Sequence, residues 1–366
     1  MLASTVMRIN SRRTPPAAGR RTATCSTAST TRVRPVEGTD PKKRRPRGPA
    51  ASWLLLTAAM ACAGPADPEL VERFRVACAR LAAEASAAGE EVLTGSDGWL
   101  FAVDEAAALG AAAPRSGTAV AAIASAAERL RRDGIELIVA PVPPKGIVYP
   151  DRLAPDLDVP IPVRRLDATL QALYDDLRAQ GVRLVDLTPA FLRDRFHHEG
   201  PLYCRQDSHW SGVGCVVAAG IIGEAVRDHV AVDMTPARPY GLAWFTTPIR
   251  GDLWQRLPEA PPREEIRVRG IIEPEDPLLA PVAIGGDAPV AVVGDTHALV
   301  FHPGEPHHAR GAGVADQLAF ELRQPVALHA DDGTAFAEDA WRLPALGEQT
   351  VVVVWIFAAA RLLSGA

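Results

Sequence analysis

Five short and almost uninterrupted runs of apolar residues constrain the fold of this chain most. They cover about 135–142, 182–187, 290–294, 325–329 and 350–356, and stretches with helical periodicity lie between them. A strand that is apolar at nearly every position is buried on both faces, as in a parallel sheet covered by helices on each side. The pattern therefore predicts an α/β domain with a five-stranded, mostly parallel sheet and helices on both faces.

Capping and turn residues predict where the other elements begin and end. Asp67 and Pro68 are typical of a helix start and Gly89 of a helix end, so we expect a helix between them. The segment GSDGWLF predicts a hairpin or tight loop. Residues 233–289 show little periodicity and are expected to be an irregular insertion. Further helices are predicted from Thr118 to Arg132 and in VRRLDATLQALYDDLRAQ, GVGCVVAAGIIGEAVRDH, VADQLAFEL and TAFAEDAWRL.

The charge of the chain is unevenly distributed. Residues 1–48 carry twelve Lys or Arg against Glu37 and Asp40, whereas the whole chain has a net charge of −5, so the remainder carries −15. A basic leader in front of an acidic body is typical of a processed segment and argues against a nucleic-acid partner.

A short apolar run, Ala50–Ala61, follows the basic cluster PKKRRPRG. The run is too short for a membrane span of about 20 residues and is typical of a secretory signal. We expect residues 1–64 to be a leader with a signal peptide and 65–366 to be the folded domain. The protein would then be periplasmic, on the cell surface or secreted, with Cys62 as a candidate lipidation site. The alternative is a basic tail that runs into an ordinary helix.

Cysteines and ligand motifs are few beyond the leader. Cys204 and Cys215 either form a disulfide in an oxidising compartment or remain buried thiols, and both interpretations stay open. The sequence contains no dinucleotide fingerprint, no phosphate loop and no partnered His or Cys pattern. We therefore predict no cofactor and no metal site.

Two short motifs carry side chains suited to acyl transfer. Thr296 in VVGDTHALVF follows a predicted strand, and functional groups in parallel sheets gather at the carboxyl ends of strands. A hydroxyl is a poor nucleophile until a base removes its proton, and a carboxylate can orient that base. QDSHWSGVG supplies such a pair, Asp207 and His209. If this piece is extended, the pair shares one face, Ser208 points away, and Ser211 caps the next helix.

These motifs stand in an order that resembles a known family. DSHW with its following helix resembles the D-x-H-W signature of the SGNH-like domain in the alginate O-acetyltransferases AlgJ and AlgX. Four further segments resemble elements of that family: GSDGWLF, PVPPKGIVYPDRL, GVRLVDL and VVVVWIFAAARLL. VVGDTHALVF resembles its nucleophile turn. Together the elements span residues 92–363 in the family's order.

The resemblance implies a flavodoxin-like, SGNH-type fold that is circularly permuted relative to common SGNH esterases. It implies an exported enzyme that moves acetyl groups to sugar hydroxyls, with Asp207, His209 and Thr296 as the catalytic residues. It also implies a polysaccharide acceptor, and a membrane-bound O-acyltransferase as a partner that supplies acetyl. Where the family has serine, this chain has Thr296, whose extra methyl crowds the reacting oxygen. Two alternatives follow: a carbohydrate acetylesterase, or an inactive glycan-binding or scaffold relative that has lost its serine.

Four further residues are candidates for substrate contact. Lys145 lies in a proline-rich loop, where a solvated side chain is the simpler interpretation. Trp210 either stacks on a sugar ring or packs in the core. Gly294 and Asp295 precede the hydroxyl residue and either help to bind substrate or only end the strand with turn chemistry. The backbone N–H groups that follow Gly294 are candidate donors to an oxyanion.

Overall fold

The structure is a computed structural model. It describes residues 64, 66–112, 117–229, 239–259, 261–272, 283–284, 286–330 and 343–364. Apart from Gly64, the predicted leader lies outside the described residues, as does the predicted helix TAFAEDAWRL except for its last residue, Leu343. None of the described helices is long and apolar enough to cross a membrane.

Strands and helices alternate along most of the described chain. The strands are β1 Val92–Thr94, β2 Leu100–Ala102, β3 Glu136–Val142, β4 Arg183–Leu184, β5 Phe196–His197, β6 Gly200–Pro201, β7 Gly241–Pro248, β8 Glu265–Ile272, β9 Ala283–Ile284, β10 Val290–Gly294, β11 Val326–Ala330 and β12 Val352–Ala358. The α-helices are α1 Pro68–Ala88, α2 Val103–Gly110, α3 Gly117–Arg132, α4 Lys145–Val148, α5 Pro150–Leu153, α6 Ala168–Ala179, α7 Thr188–Asp194, α8 Gly212–His229, α9 Thr296–Leu299, α10 Val314–Leu322 and α11 Arg361–Ser364.

The central sheet confirms the predicted parallel architecture. Its strand order is β4-β3-β12-β10-β11-β9, and every neighbouring pair is parallel. The five predicted strands correspond to β3, β4, β10, β11 and β12. The short edge strand β9 is a sixth, which lies inside the region expected to be an irregular insertion.

Both faces of the sheet are buried, which explains why its strands are apolar at nearly every position. Val290 and Val292 of β10 lie in one core cluster with side chains of α1, α8 and α10. Val293 points the other way and lies in a second cluster with side chains of α3 and α6. Because successive residues of a strand point to opposite faces, β3, β10 and β12 each supply both clusters.

The capping signals place helix α1 as predicted. Asp67 Oδ1 accepts a hydrogen bond from Glu69 N at 2.8 Å. Pro68 occupies the first turn, and Gly89 ends the helix with a left-handed φ of 73°. The segment GSDGWLF also behaves as expected, since β1 and β2 pair as an antiparallel hairpin across it.

The prediction of an irregular insertion at 233–289 is wrong for part of that region. Strands β7 and β8 form an antiparallel pair eight residues long on each side. In β8, Ile266 and Val268 are buried and alternate with Arg267 and Arg269, which are less buried. This alternation is the ordinary pattern of a half-buried strand, so EIRVRGII carried a strand signal.

Candidate active site

The two motifs meet at the carboxyl end of the central sheet. Thr296 begins helix α9 and is separated from the end of strand β10 by one residue, and His209 of the D-x-H motif lies three residues before the start of helix α8. Ser211 caps that helix as predicted, because its Oγ accepts from Val213 N and Gly214 N, each at 3.2 Å.

Asp207, His209 and Thr296 form a continuous chain of hydrogen bonds. His209 Nδ1 lies 2.7 Å from Asp207 Oδ1, and its Nε2 lies 2.6 Å from Thr296 Oγ1. A carboxylate can only accept, so Nδ1 carries a proton and donates it. Nε2 of the neutral ring is then free to accept from the threonine hydroxyl. This is the arrangement by which an imidazole removes the proton of an attacking alcohol.

The D-x-H piece is a tight turn, so the expectation that it is extended is wrong. His209 N donates to Asp207 Oδ1 at 2.9 Å, a contact in which an aspartate folds the chain back onto its own side chain. Ser208 then points to a different partner and donates from Oγ to Asp252 Oδ2 at 2.7 Å. The turn brings the imidazole onto the carboxylate without an extended backbone.

Asp207 has further partners on its second oxygen. Oδ2 accepts from Asp252 N at 2.9 Å and from His308 Nε2 at 3.0 Å. The side chain of Asp207 is 2% exposed. Burial alone would raise the pKa of this carboxyl, but the charges and hydrogen bonds of His209 and His308 hold it well below its ordinary value. Asp207 therefore stays ionised at neutral pH.

The pKa of His209 is shifted in the opposite sense. Burial alone would lower it, but the charge and hydrogen bond of Asp207, with smaller contributions from Asp252 and Asp295, raise it to about 9. The imidazole is thus a stronger base than an ordinary histidine, and both of its nitrogens are protonated over much of the neutral range.

A second aspartate–histidine pair, Asp295 and His297, supports the nucleophile turn. Asp295 Oδ1 accepts from His297 N at 2.9 Å, and Oδ2 accepts from Ala358 N at the end of β12 at 2.9 Å. The His297 ring lies 4.6 Å from the His209 ring, centroid to centroid. Burial opposes the effect, but His297 and the backbone amides lower the pKa of Asp295 to about 2. Asp295, predicted as a substrate contact, has both oxygens engaged in holding the turn.

Close packing explains the glycine before this turn and leaves one backbone amide free. A Cβ on Gly294 would lie 2.3 Å from Ile356 O, so only glycine fits there. Asp295 N donates to Ile356 O at 3.3 Å, and His297 N is bound by Asp295. Among the described residues, Thr296 N has no acceptor. It is therefore the backbone donor available to an oxyanion beside the hydroxyl.

Lys145 does not reach the cavity, which corrects its prediction as a solvated or substrate-binding residue. It is 2% exposed. Its Nζ donates to Leu100 O at 2.6 Å, Arg205 O at 3.0 Å and Asp207 O at 2.9 Å. Burial lowers its pKa to about 8. A proline-rich loop suggested exposure, but three backbone carbonyls converge on the ammonium group and bury it.

Trp210 is also a core residue, so stacking on a sugar ring is excluded in this structure. It is fully buried, and its Nε1 donates to His297 O at 3.0 Å. This bond joins the D-x-H motif to the nucleophile turn. Cys204 and Cys215, which flank the motif, are free and buried, so the interpretation as thiols holds and the disulfide is wrong.

A cavity of about 530 Å³ opens onto the three residues. Asp207, His209 and Thr296 lie on its wall together with Ser208, Asp252 and His308. Three arginines also line it: Arg250, Arg256 and Arg361. Three aspartates line it as well, Asp207, Asp252 and Asp295, so with neutral histidines the positive and negative charges of the wall balance. The chain beyond residue 48 has a net charge of −15.

One group of three potential metal ligands lies in this cavity. Atoms of Asp207, His209 and Asp252 come within 4.8 Å of one another, and no other such group occurs among the described residues. Each of the three already bonds within the protein: His209 with Asp207, and Asp252 with Ser208. A metal would have to displace these bonds, so we assign none.

Sequence reasoning missed Asp252 and His308 as members of the site. Asp252 lies in the region that shows little periodicity, and His308 belongs to a pair of adjacent histidines without a metal-ligand pattern. A carboxylate partner 101 positions away leaves no local signal for His308.

Comparison with known proteins gives consistent matches. The family model described as "SGNH hydrolase-like domain, acetyltransferase AlgX" matches residues 92–358. The probable alginate O-acetylase AlgJ of Pseudomonas syringae pv. tomato is 28% identical over 253 residues, 66% of this chain and 60% of that protein. The corresponding protein of Pseudomonas putida is 27% identical, over 66% of this chain and 61% of its own length. The match thus spans about three fifths of these relatives.

Solved structures show the same fold. The O-acetyltransferase domain of Pseudomonas putida AlgJ superposes with a TM-score of 0.53 at 24% identity, covering 74% of this chain and 92% of that one. Pseudomonas aeruginosa AlgX gives a TM-score of 0.52 at 17% identity, covering 74% of this chain and 65% of that one. Since the family model covers well over half of the sequence, the chain belongs to the family of the SGNH hydrolase-like domain of acetyltransferase AlgX.

Proposed function

We propose that this protein transfers acetyl groups to hydroxyls of a polysaccharide, with Thr296 as nucleophile, His209 as base and Asp207 as the residue that orients it. The observation that carries the proposal is the hydrogen-bonded chain from Asp207 through His209 to Thr296, which opens into a cavity. Relatives that are named alginate O-acetylases support acetyl as the transferred group.

In the first step, Thr296 Oγ1 attacks the carbonyl carbon of an acetyl ester while its proton moves to His209 Nε2. The negative charge that develops on the carbonyl oxygen faces Thr296 N–H. The C–O bond of the donor then breaks, and the leaving oxygen takes the proton from His209. Thr296 now carries the acetyl group as an ester.

In the second step, a sugar hydroxyl takes the place of the leaving group. His209 removes its proton as it attacks the acetyl carbon, and the Thr296 oxygen leaves with that proton. Because His209 acts first as a base and then as an acid, one imidazole serves both halves of the reaction. Water in place of the sugar would give hydrolysis.

The threonine is compatible with this chemistry. Its methyl group does not displace Oγ1 from the imidazole, since the two atoms lie 2.6 Å apart. The methyl still restricts rotation about the Cα–Cβ bond and crowds the attacking oxygen. We therefore expect a slower enzyme than a serine counterpart, and a competent one.

The guanidinium groups on the cavity wall support an acceptor that carries carboxylates, because the aspartates of the same wall are already bonded within the protein. Arg250, Arg256 and Arg361 line the wall beside the nucleophile. Alginate, which the names of the relatives specify, is a polyuronate of this class. The acidic remainder of the chain would repel such a polymer elsewhere, so binding should concentrate at this cavity.

The remaining parts of the proposal concern export and the acetyl donor. We propose that residues 1–64 direct export, that 65–366 form the acetyltransferase domain, and that a membrane-bound O-acyltransferase supplies acetyl. The basic cluster and the apolar run Ala50–Ala61 support export. Amino-terminal sequencing of the exported protein tests this part, with a start near Cys62 or Gly64 expected.

An acceptor assay tests the transfer itself. The protein is incubated with p-nitrophenyl acetate and either deacetylated alginate or a neutral glucan, and polymer-bound acetyl is measured by NMR. We expect acetyl on alginate in excess of the glucan, with less transfer at high salt. Free acetate alone with both polymers would identify a hydrolase, and greater transfer to the glucan would exclude a carboxylated acceptor.

A further inference from the structure

His308 contacts the orienting carboxylate from a strained position in the chain. Its Nε2 donates to Asp207 Oδ2 at 3.0 Å, and its side chain is 8% exposed. Its φ is +72°, in the left-handed region that a residue with a Cβ occupies at an energetic cost. Strain of this kind persists only where surrounding contacts fix the backbone, and it concentrates at functional sites.

The surrounding contacts are present. The loop from Phe301 to Ala312 begins two residues after the nucleophile helix α9 and is closed by hydrogen bonds at both ends. Phe301 N donates to His307 O at 2.9 Å, and Ala312 N donates to Phe301 O at 2.9 Å. Phe301 also has a positive φ, +66°, and its ring lies 5.5 Å from that of His308. The loop thus fixes the imidazole of His308 relative to Thr296.

We propose that His308 is a positioning residue that holds the second oxygen of Asp207 and thereby sets the strength of the bond from Asp207 to His209. The inference rests on the proposed function of Asp207 and His209. It extends the three-residue arrangement by a fourth member, and ties the nucleophile segment to the orienting carboxylate through one short loop.

Loss of the hydrogen bond from His308 should strengthen the bond from Asp207 to His209. An imidazole that donates to Oδ2 draws negative charge away from Oδ1, which holds His209. Without His308, Oδ2 keeps the amide of Asp252, and the carboxylate binds the proton of His209 more tightly. The direction of this effect on Asp207 is the same whether the imidazole of His308 is neutral or charged. His209 would therefore titrate at higher pH when His308 is removed.

Several other titratable and charged groups surround the Asp207–His209 pair. Those that face His209 or Asp207 are Lys145, Asp252, Asp295, His297 and His308, with the guanidinium groups of the cavity beyond them. Of these, His308 is the one besides His209 whose side chain donates to the carboxylate of Asp207. If His308 only filled space, its loss would admit water and return His209 toward its ordinary value, the opposite direction.

NMR titration of the full chain with ¹³C-labelled histidine tests the inference independently of activity. The His209 signal is assigned with His209→Gln, and its midpoint is compared in the native protein and four variants. His308→Ala removes the donor, and His308→Gln keeps an amide donor in its place. His308→Asn accepts the left-handed backbone, but its amide lies nearer the backbone and does not reach Asp207. His198→Gln, at an exposed histidine, is the control.

We expect His308→Ala and His308→Asn to move the His209 midpoint upward by about one pH unit, and His308→Gln and His198→Gln to leave it near the native value. With p-nitrophenyl acetate at pH 7, kcat/KM should fall about tenfold in His308→Ala and His308→Asn, because a smaller fraction of His209 is neutral. An unchanged or lower midpoint in a folded His308→Asn protein would overturn the inference. If these variants show the shift but the native protein never acylates Thr296, the proposed function alone is refuted.

Discussion

Thr296 Oγ1 lies 2.6 Å from His209 Nε2, although the two residues are 87 positions apart in the sequence. The fold brings them together because strand β10 and the loop before α8 both end at the carboxyl edge of one parallel sheet. Two bonds between the motifs and the sheet fix this edge: Trp210 Nε1 to His297 O at 3.0 Å, and Ala358 N to Asp295 Oδ2 at 2.9 Å. The site is therefore part of the folded core, and substitutions in its supports should alter both stability and chemistry.

The rate of acetyl-ester turnover should rise with pH through the titration of His209. Asp207 raises the pKa of His209 to about 9 against the effect of burial, and the base must be neutral to accept a proton. A profile of kcat/KM against pH for p-nitrophenyl acetate should therefore increase across neutral pH and level off above pH 9. A plateau reached already at pH 7 would show that another group acts as the base.

The same shift has a consequence for stability. The folded pKa of His209 exceeds its unfolded value, so this group contributes stability that is full below about pH 6.5 and is lost as pH rises through about 9. His209→Gln should remove this contribution, so its urea midpoint should fall less than that of the native protein between pH 6 and pH 9. Identical pH dependence in both proteins would contradict the assignment.

Lys145→Met should lower the free energy of unfolding by about 3 kcal/mol, because three buried carbonyls lose a common charged donor. Equilibrium urea denaturation measures the loss. Arg132→Met is a matched control, since Arg132 is 68% exposed with one ion pair at 3.8 Å, and should cost less than about 0.5 kcal/mol. Equal effects of the two substitutions would show that Lys145 is not a structural donor.

Gly251→Ala should push the loop that carries Asp252 away from the loop that carries Asp207. A Cβ there would lie 1.9 Å from Gln206 O, next to the bond from Asp252 N to Asp207 Oδ2. We expect a loss of about 2 kcal/mol in unfolding free energy and a lower kcat. Gly220→Ala in helix α8 meets nothing within 4 Å and should instead stabilise by roughly 0.5 kcal/mol. The opposite ranking of the two variants would rule out close packing as the cause.

The fold could be predicted from local patterns because the parallel sheet leaves strong ones. Strand β10 and helix α10 have the predicted limits, since buried runs and helix periodicity depend on neighbouring residues. The pairing of β7 with β8 was missed because β7 has no buried residue and no alternation, so the strand signal of β8 stood without a partner. The edge strand β9 has only two residues and carries no pattern.

The site was predicted where chemistry is local and missed where it depends on packing. Asp207 and His209 lie two positions apart, and Thr296 directly follows a strand, so their association could be proposed from sequence. Lys145 was misplaced because burial by three carbonyls from distant segments is invisible locally. The composition of the chain did carry a signal. Lys145 is the sole lysine beyond Lys43, whereas the rest of the chain after Lys43 uses arginine as its basic residue.

Intact-protein mass spectrometry after a short incubation with p-nitrophenyl acetate, followed by peptide mapping, tests directly whether Thr296 is the nucleophile. Native protein should gain one acetyl group on the peptide that contains Thr296. Thr296→Ser should acylate faster, because the methyl group is gone while the hydroxyl remains. Thr296→Ala should gain none there, and His209→Ala nearly none, since the residues act as a unit. If native protein and Thr296→Ala are equally unlabelled at this peptide, the threonine is not a nucleophile and the proposed mechanism is wrong.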